Sequence, residues 1–230
     1  LDELENFNKN EKIIEYNTND DNAKLCKLSL AEFAQKTASE APAPGGGSVS
    51  AYLGSLGISL GTMVANLSSH KRGWDDRWEE FSNTAEKGQK LIKKLLDLVD
   101  KDTESFNQIM LAFRLPEGDS KEKKIKEDAI KKTTIHAIEV PLEIMRTSLK
   151  SMDLIMEMAK NGNPNSVSDA GVGALCARSA VIGGYLNVKI NCKDLTDKKL
   201  VIEFLNKAEK IKESAVKLEK DILKITLEKI

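Results

Sequence analysis

Ala41-Pro-Ala-Pro-Gly-Gly-Gly-Ser-Val-Ser50 leads without a break into a segment that carries no Asp, Glu, Lys or Arg before Lys71. Two prolines hold the approach extended, and three consecutive glycines let the backbone come very close to another group. Ser48 then offers a hydroxyl where a helix begins, beside exposed N–H donors. Gly54, Gly57, Gly61 and Ala65 follow at spacings of three, four and four, which puts them on one face where a second helix can approach closely. A flexible linker is the alternative for the glycines, but a linker continues with polar filler and this one runs into helix. The expected element is a binding loop that opens a helix over residues 47–69.

The uncharged run over residues 49–67 is long enough to cross a bilayer of about 30 Å. Ser50, Gly54, Ser55, Gly57, Ser59, Gly61, Thr62 and Asn66 speak against lipid and for a buried helix with close neighbours, so no membrane partner is expected.

Helical periods continue on both sides. Ser29-Leu-Ala-Glu32 has capping-box spacing and predicts a first helix over residues 30–39. A third helix is expected over residues 76–115, with Leu95, Leu98, Val99, Asp102, Phe106, Ile109 and Phe113 as its inward stripe, before a Pro116-Glu-Gly118 break. A fourth spans residues 120–160, with Pro141 inside it as an expected kink. After a turn at residues 161–165, a fifth starts near Val167 and is rich in small residues: Ala170, Gly173, Ala177, Ala180 and Gly184. Residues 186–191 alternate apolar and polar and read as an irregular helix end. The last helix, over residues 197–230, has a heptad-like seam of Val201, Phe204, Ala208, Ile211, Ala215, Leu218, Ile222 and Ile225. A helix near 40 residues spans about 60 Å. The expected fold is therefore all-α, an elongated bundle of about five to six helices, two of them long. Residues 1–24 read as an N-terminal tail or linker, one candidate being a linker from an upstream domain, and residues 25–230 as one helical domain.

The 230 residues are 40% apolar and 31% charged, with a formal net charge of −1. That composition is globular, and it gives no electrostatic case for nucleic acid. Three cysteines without short metal-type spacing suit a reducing cytoplasm. His70 and His136, the only histidines, argue against a histidine-rich zinc site. Gly45-Gly-Gly-Ser48 is followed by no Gly-Lys-Ser/Thr, so it is not a phosphate loop, and Ser50 occupies the place of the third glycine of a dinucleotide fingerprint.

Asp102 is the sharpest candidate for chemistry. It stands where the third helix's stripe demands an apolar side chain, so its carboxylate faces the interior or a cleft, and burial raises a carboxylate's pKa toward that of a general acid. A structural carboxylate paired with a Lys or Arg of a neighbouring helix is the equal alternative. Asp169, at the head of the fifth helix, reads locally as a helix-capping or first-turn aspartate. Lys71, Arg72 and Arg114 are candidates for holding carboxylates, His70 is a candidate helix cap, and Glu40 is a weaker third acid.

Residues 41–69, together with Gly162-Asn-Pro-Asn-Ser-Val-Ser-Asp-Ala-Gly171 and Ala112-Phe-Arg-Leu-Pro116, resemble the cyclodeaminase/cyclohydrolase family of folate enzymes. This family forms the C-terminal half of formimidoyltransferase-cyclodeaminase and also occurs as free-standing bacterial proteins. The resemblance runs from about Leu28 to the C-terminus. It implies a homodimer acting on the one-carbon unit of a tetrahydrofolate derivative, polyglutamylated or not, with no cofactor beyond that substrate, no metal, and an upstream formimidoyltransferase domain as a further partner. It implies formimidoyltetrahydrofolate cyclodeaminase activity, with methenyltetrahydrofolate cyclohydrolase as the alternative. It favours Asp102 and Asp169 as the catalytic pair, and Gly45, Gly46, Gly47, Ser48, Lys71, Arg114, Asn165 and Ser168 as substrate-binding residues. A non-catalytic helical interaction protein is the rival from another class, and it predicts an apolar core without an inward Asp102.

Overall fold

The structure, a computed structural model, describes residues 24–230. The tail expected over residues 1–24 lies, apart from Lys24, outside the described residues. Among those described there are six α-helices and no strand: α1 Leu30–Ala38, α2 Gly46–Ser69, α3 Trp78–Phe113, α4 Ser120–Asn161, α5 Val167–Asn191 and α6 Lys198–Lys229. The all-α expectation holds. Three helices, not two, are long, at 36, 42 and 32 residues for α3, α4 and α6.

Local chemistry sets most boundaries. Ser29 and Glu32 form the reciprocal capping box that starts α1. Asp119 accepts from the Glu122 amide to start α4, and Asp197 accepts from the Leu200 amide to start α6. His70 occupies the C-cap position of α2. The α4 helix runs on through buried Pro141. Residues 186–191 are not irregular: α5 stays helical to Asn191, because buried Val188 faces the core and the Asn191 side chain donates to the Ala137 carbonyl of α4 at 2.7 Å. The alternation there reflects a helix with one buried side, read over too short a window.

The α2 helix is the centre of the bundle, packed against α3, α5 and α4. It is long and apolar enough to cross a membrane by composition, yet its glycine face is buried inside the protein. A Cβ on Gly57 would stand 2.8 Å from the Gly173 carbonyl and 2.9 Å from the Ala177 amide of α5. The two helices therefore touch backbone to backbone. On α4, Ile155 would be 2.9 Å from a Cβ on Gly61. The α6 seam closes the far side through buried Phe204, Ala208, Ala215 and Ile222.

The inward stripe of α3 holds only in part. Leu95, Leu98 and Val99 are buried, but Phe106 and Phe113 are 37% and 50% exposed. The reason is length: α2 begins opposite Asp102, so the last turns of α3 run past its start and α2 does not cover them.

Candidate active site

The glycine run ends in a helix start with a distinctive lack of cap. Gly45 holds the N-cap position and, having no side chain, accepts nothing from the first turn of α2. Ser48 was expected at the start of the helix. It lies instead inside the first turn, fully buried, with its hydroxyl 3.0 Å from the Val99 carbonyl, 3.0 Å from Asp102 Oδ2 and 3.3 Å from Thr103 Oγ1. One hydroxyl proton cannot serve two acceptors. While Ser48 donates to Val99, the carboxyl oxygen beside it keeps room for a proton of its own.

Asp102 reaches α2 at Gly47. A Cβ on that glycine would sit 2.0 Å from Asp102 Oδ1, so a side chain at residue 47 and this carboxylate exclude each other. Burial pushes the Asp102 carboxyl above its ordinary value, against the opposing pull of the Ser48 hydroxyl and amide. None of the ion pairs among the described residues involves Asp102. The structural ion pair with a neighbouring Lys or Arg is thus not found among the described residues, and the apolar core required of a mere scaffold is interrupted by an inward acid.

The opposite wall comes from α5. The Asn187 amide nitrogen lies 3.3 Å from where a Cβ on Gly46 would be, and it donates to the Gly183 carbonyl at 2.9 Å. Ser50 donates to the Gly46 carbonyl at 2.6 Å and fills the space over Gly183. Gly46 and Gly47 therefore form a floor between an amide side chain and a carboxyl side chain that the chain's order keeps far apart. The signal that existed, a polar Asn in an otherwise packed helix, was hidden by the misreading of residues 186–191.

The other predicted residues are elsewhere. Lys71 follows the opposite end of α2, its ammonium 3.9 Å from the centre of the Trp74 ring. Asn165 and Ser168 are exposed, and Asp169 is half-buried in the first turn of α5. This turn is tied to that same far end of α2 by the Asn163 amide, which donates to Ser68 Oγ at 2.7 Å. Because α2 and α5 run antiparallel, with Gly57 on Gly173 and Gly46 on Asn187, Asp169 stands roughly 25 Å along the bundle from Asp102. Arg114, exposed at the C-cap of α3, is on the Asp102 end but about 18 Å further along that helix. One chain thus assembles Gly45, Gly46, Gly47, Ser48 and Asp102, and holds Lys71, Asn165, Ser168 and Asp169 as a separate group.

The profile of the formiminotransferase-cyclodeaminase family matches residues 29–210. The chain belongs to that family. As a family member it is 34% identical over 205 residues to the formimidoyltransferase-cyclodeaminase of Gallus gallus, an alignment covering 88% of this chain and 38% of that protein. It is 33% identical over 181 residues to the methenyltetrahydrofolate cyclohydrolase of Methylorubrum extorquens, covering 79% of this chain and 87% of that one. The crystal structure of formiminotetrahydrofolate cyclodeaminase from Thermotoga maritima superposes with a TM-score of 0.76 at 27% identity, covering 86% of this chain and 96% of that one. The chain spans well under half the length of the formimidoyltransferase-cyclodeaminase relatives, and most of the Methylorubrum extorquens and Thermotoga maritima proteins.

Proposed function

We propose that the protein is a formimidoyltetrahydrofolate cyclodeaminase, converting the 5-formimidoyl derivative to 5,10-methenyltetrahydrofolate and ammonia. The observation that carries this reading is the carboxyl of Asp102, half-buried against Gly47 without a cation among the described residues and with its pKa raised. In the reaction, N10 attacks the formimidoyl carbon on N5 and closes a ring, and the N10 proton passes to the imino nitrogen, which becomes an amino group. The amino group on that carbon takes up a proton and leaves as ammonia, and the carbon becomes the methenyl cation. Protonated Asp102 supplies that proton, and the carboxylate it leaves behind faces the new cation. One group serves both needs in sequence.

The related cyclohydrolase reaction uses the same carbon, with water as the nucleophile, and the likeness to the Methylorubrum extorquens protein favours it as the second reading. Assay of the purified chain with 5-formimidoyl- and 5,10-methenyltetrahydrofolate, corrected for spontaneous hydrolysis, tests both. Ammonia release from the first substrate is the expected result, and its absence together with hydrolysis of the second transfers the assignment.

The working form is a homodimer. The faces of α2 and α5 turned away from α4 expose Leu56, Met63, Leu67, Val172, Leu175, Leu186 and Ile190 and include no acid or base on α2. A two-fold axis lying in that face and crossing the helices pairs the Asp102 end of one protomer with the Asp169 end of its partner. Asp169 then joins Asp102 across the interface, with Asn165, Ser168 and Lys71 beside it for the substrate. The upstream transferase domain of the bifunctional relatives is a further partner, and the three free cysteines, Cys192 among them buried, support a reducing cytoplasm as the setting.

A further inference from the structure

Along the floor of the site three kinds of group stand in a row: the Asn187 side chain beside Gly46, the uncapped amides at the start of α2, and the Asp102 carboxyl on Gly47. Asn187 spends one N–H on the Gly183 carbonyl, which fixes its amide and presents the oxygen as an acceptor 3.9 Å from the Gly46 Cβ position, with the second N–H beside it. The N–H groups of Gly46 and Gly47, which open α2, are donors that no capping side chain satisfies. The row therefore reads acceptor, donors, acid.

A tetrahydropterin ring presents a matching row along one edge. N3–H is a donor, the 4-oxo oxygen beside it is an acceptor, and N5 follows next to that oxygen, carrying the one-carbon unit. Resting on the folate reading above, we propose that Asn187 and the amides of Gly46 and Gly47 hold the lactam edge of the pterin: Asn187 Oδ1 accepts from N3–H, and the helix amides donate to the 4-oxo group. Because N5 is bonded to C4a, the ring carbon next to the 4-oxo carbon, holding that edge sets the group on N5 against Asp102. Two requirements of the sequence then share one cause. Gly46 is small because Asn187 needs the space beside it to reach the ring, and Gly47 is small because Asp102 does. Asn187 is a binding and specificity residue; it takes no part in the proton transfer.

The test uses two unreactive probes, 5-formyltetrahydrofolate and its 4-amino counterpart, which replaces the lactam acceptor with a donor and removes the N3 proton. Calorimetry on the full chain should show that the wild-type protein prefers the 4-oxo probe by about 100-fold, since a site built to hydrogen-bond one edge rejects the edge that leaves its groups unpaired. Asn187→Ala should weaken the 4-oxo probe about tenfold or more, leave the 4-amino probe nearly unchanged, and raise KM with little effect on kcat. Asn187→Leu, which keeps the volume and removes the polar atoms, guards against an effect of a mere cavity, and melting temperature checks that each variant folds. Equal loss for both probes, or no loss for either, overturns the role of Asn187 while leaving the folate reading in place. A wild-type protein that binds neither probe overturns both.

Discussion

Asp102 Oδ1 lies 2.0 Å from the point that a Cβ on Gly47 would occupy, so this acid and this glycine can share the site only as they are. The contact joins the middle of α3 to the first turn of α2, and Ser48 locks it from below through its hydroxyl. The third glycine of the run is there to admit a carboxylate.

Gly47→Ala is the direct consequence. The new methyl group drives Asp102 off its place, because distances near 2 Å cannot be absorbed by small shifts. Overpacking of this kind costs about 1–3 kcal/mol, so a folded protein with a lowered melting temperature is expected. Turnover should fall by about 100-fold or more as the acid leaves the reacting carbon. Circular dichroism melting and ammonia release on one preparation check the pair, and a variant as active as wild type would detach Asp102 from the reaction.

Asp102→Asn separates catalysis from stability. With no cation left behind among the described residues, the substitution should not destabilise the fold, whereas turnover should drop by about 10²- to 10⁴-fold. The pH dependence has a definite sign. The folded-state pKa lies above the ordinary 3.8, so the folded protein holds this proton more tightly than the unfolded chain does. Stability is highest below 3.8, declines as pH rises from there through the raised value, and stays reduced above it. The difference in melting temperature, variant minus wild type, should grow in the variant's favour across that window. A variant that melts earlier than wild type at neutral pH would point to a partner for Asp102 in the native protein.

The proposed site shared between two protomers predicts rescue by mixing. Asp102→Asn and Asp169→Asn homodimers should each be nearly inactive. Random exchange between them makes half of the dimers mixed, each with one intact site, so about a quarter of wild-type activity should return. No recovery after verified subunit exchange would place Asp169 outside the site. Met63→Glu combined with Leu175→Glu should give a monomer in sedimentation and lose activity with the interface.

Gly57→Val probes the packing alone. Its new atoms meet the Gly173 carbonyl and the Ala177 amide, which are backbone and cannot swing aside. A loss of about 3 kcal/mol or more is expected in urea unfolding, with m unchanged if the denatured state is unaffected. Gly45, whose Cβ position meets only the Pro42 carbonyl at an ordinary 4.0 Å, should tolerate Ala with little effect on stability and serves as the control.

Local order was available in the residues themselves. Helix starts at Ser29, Asp119 and Asp197, the uncharged α2 with its glycine face, and the α6 seam all rest on neighbours within a turn or two, where spacing and capping act directly. Asp102 was legible too, because a charged residue on an apolar stripe conflicts with its own helix and the conflict is visible in one dimension. What the chain could not show was which helix ends meet. The antiparallel pairing of α2 with α5 is set by close packing of Gly57 on Gly173 and Ala177, and it carries Asn187 to Gly46 and Asp169 to the far end of the bundle. Phe106 and Phe113 kept the period of a buried stripe and lost the burial, since α2 begins too late to cover them. Periodicity states which side of a helix is apolar; the neighbours that side finds, and how far along they reach, depend on contacts between residues distant in the chain.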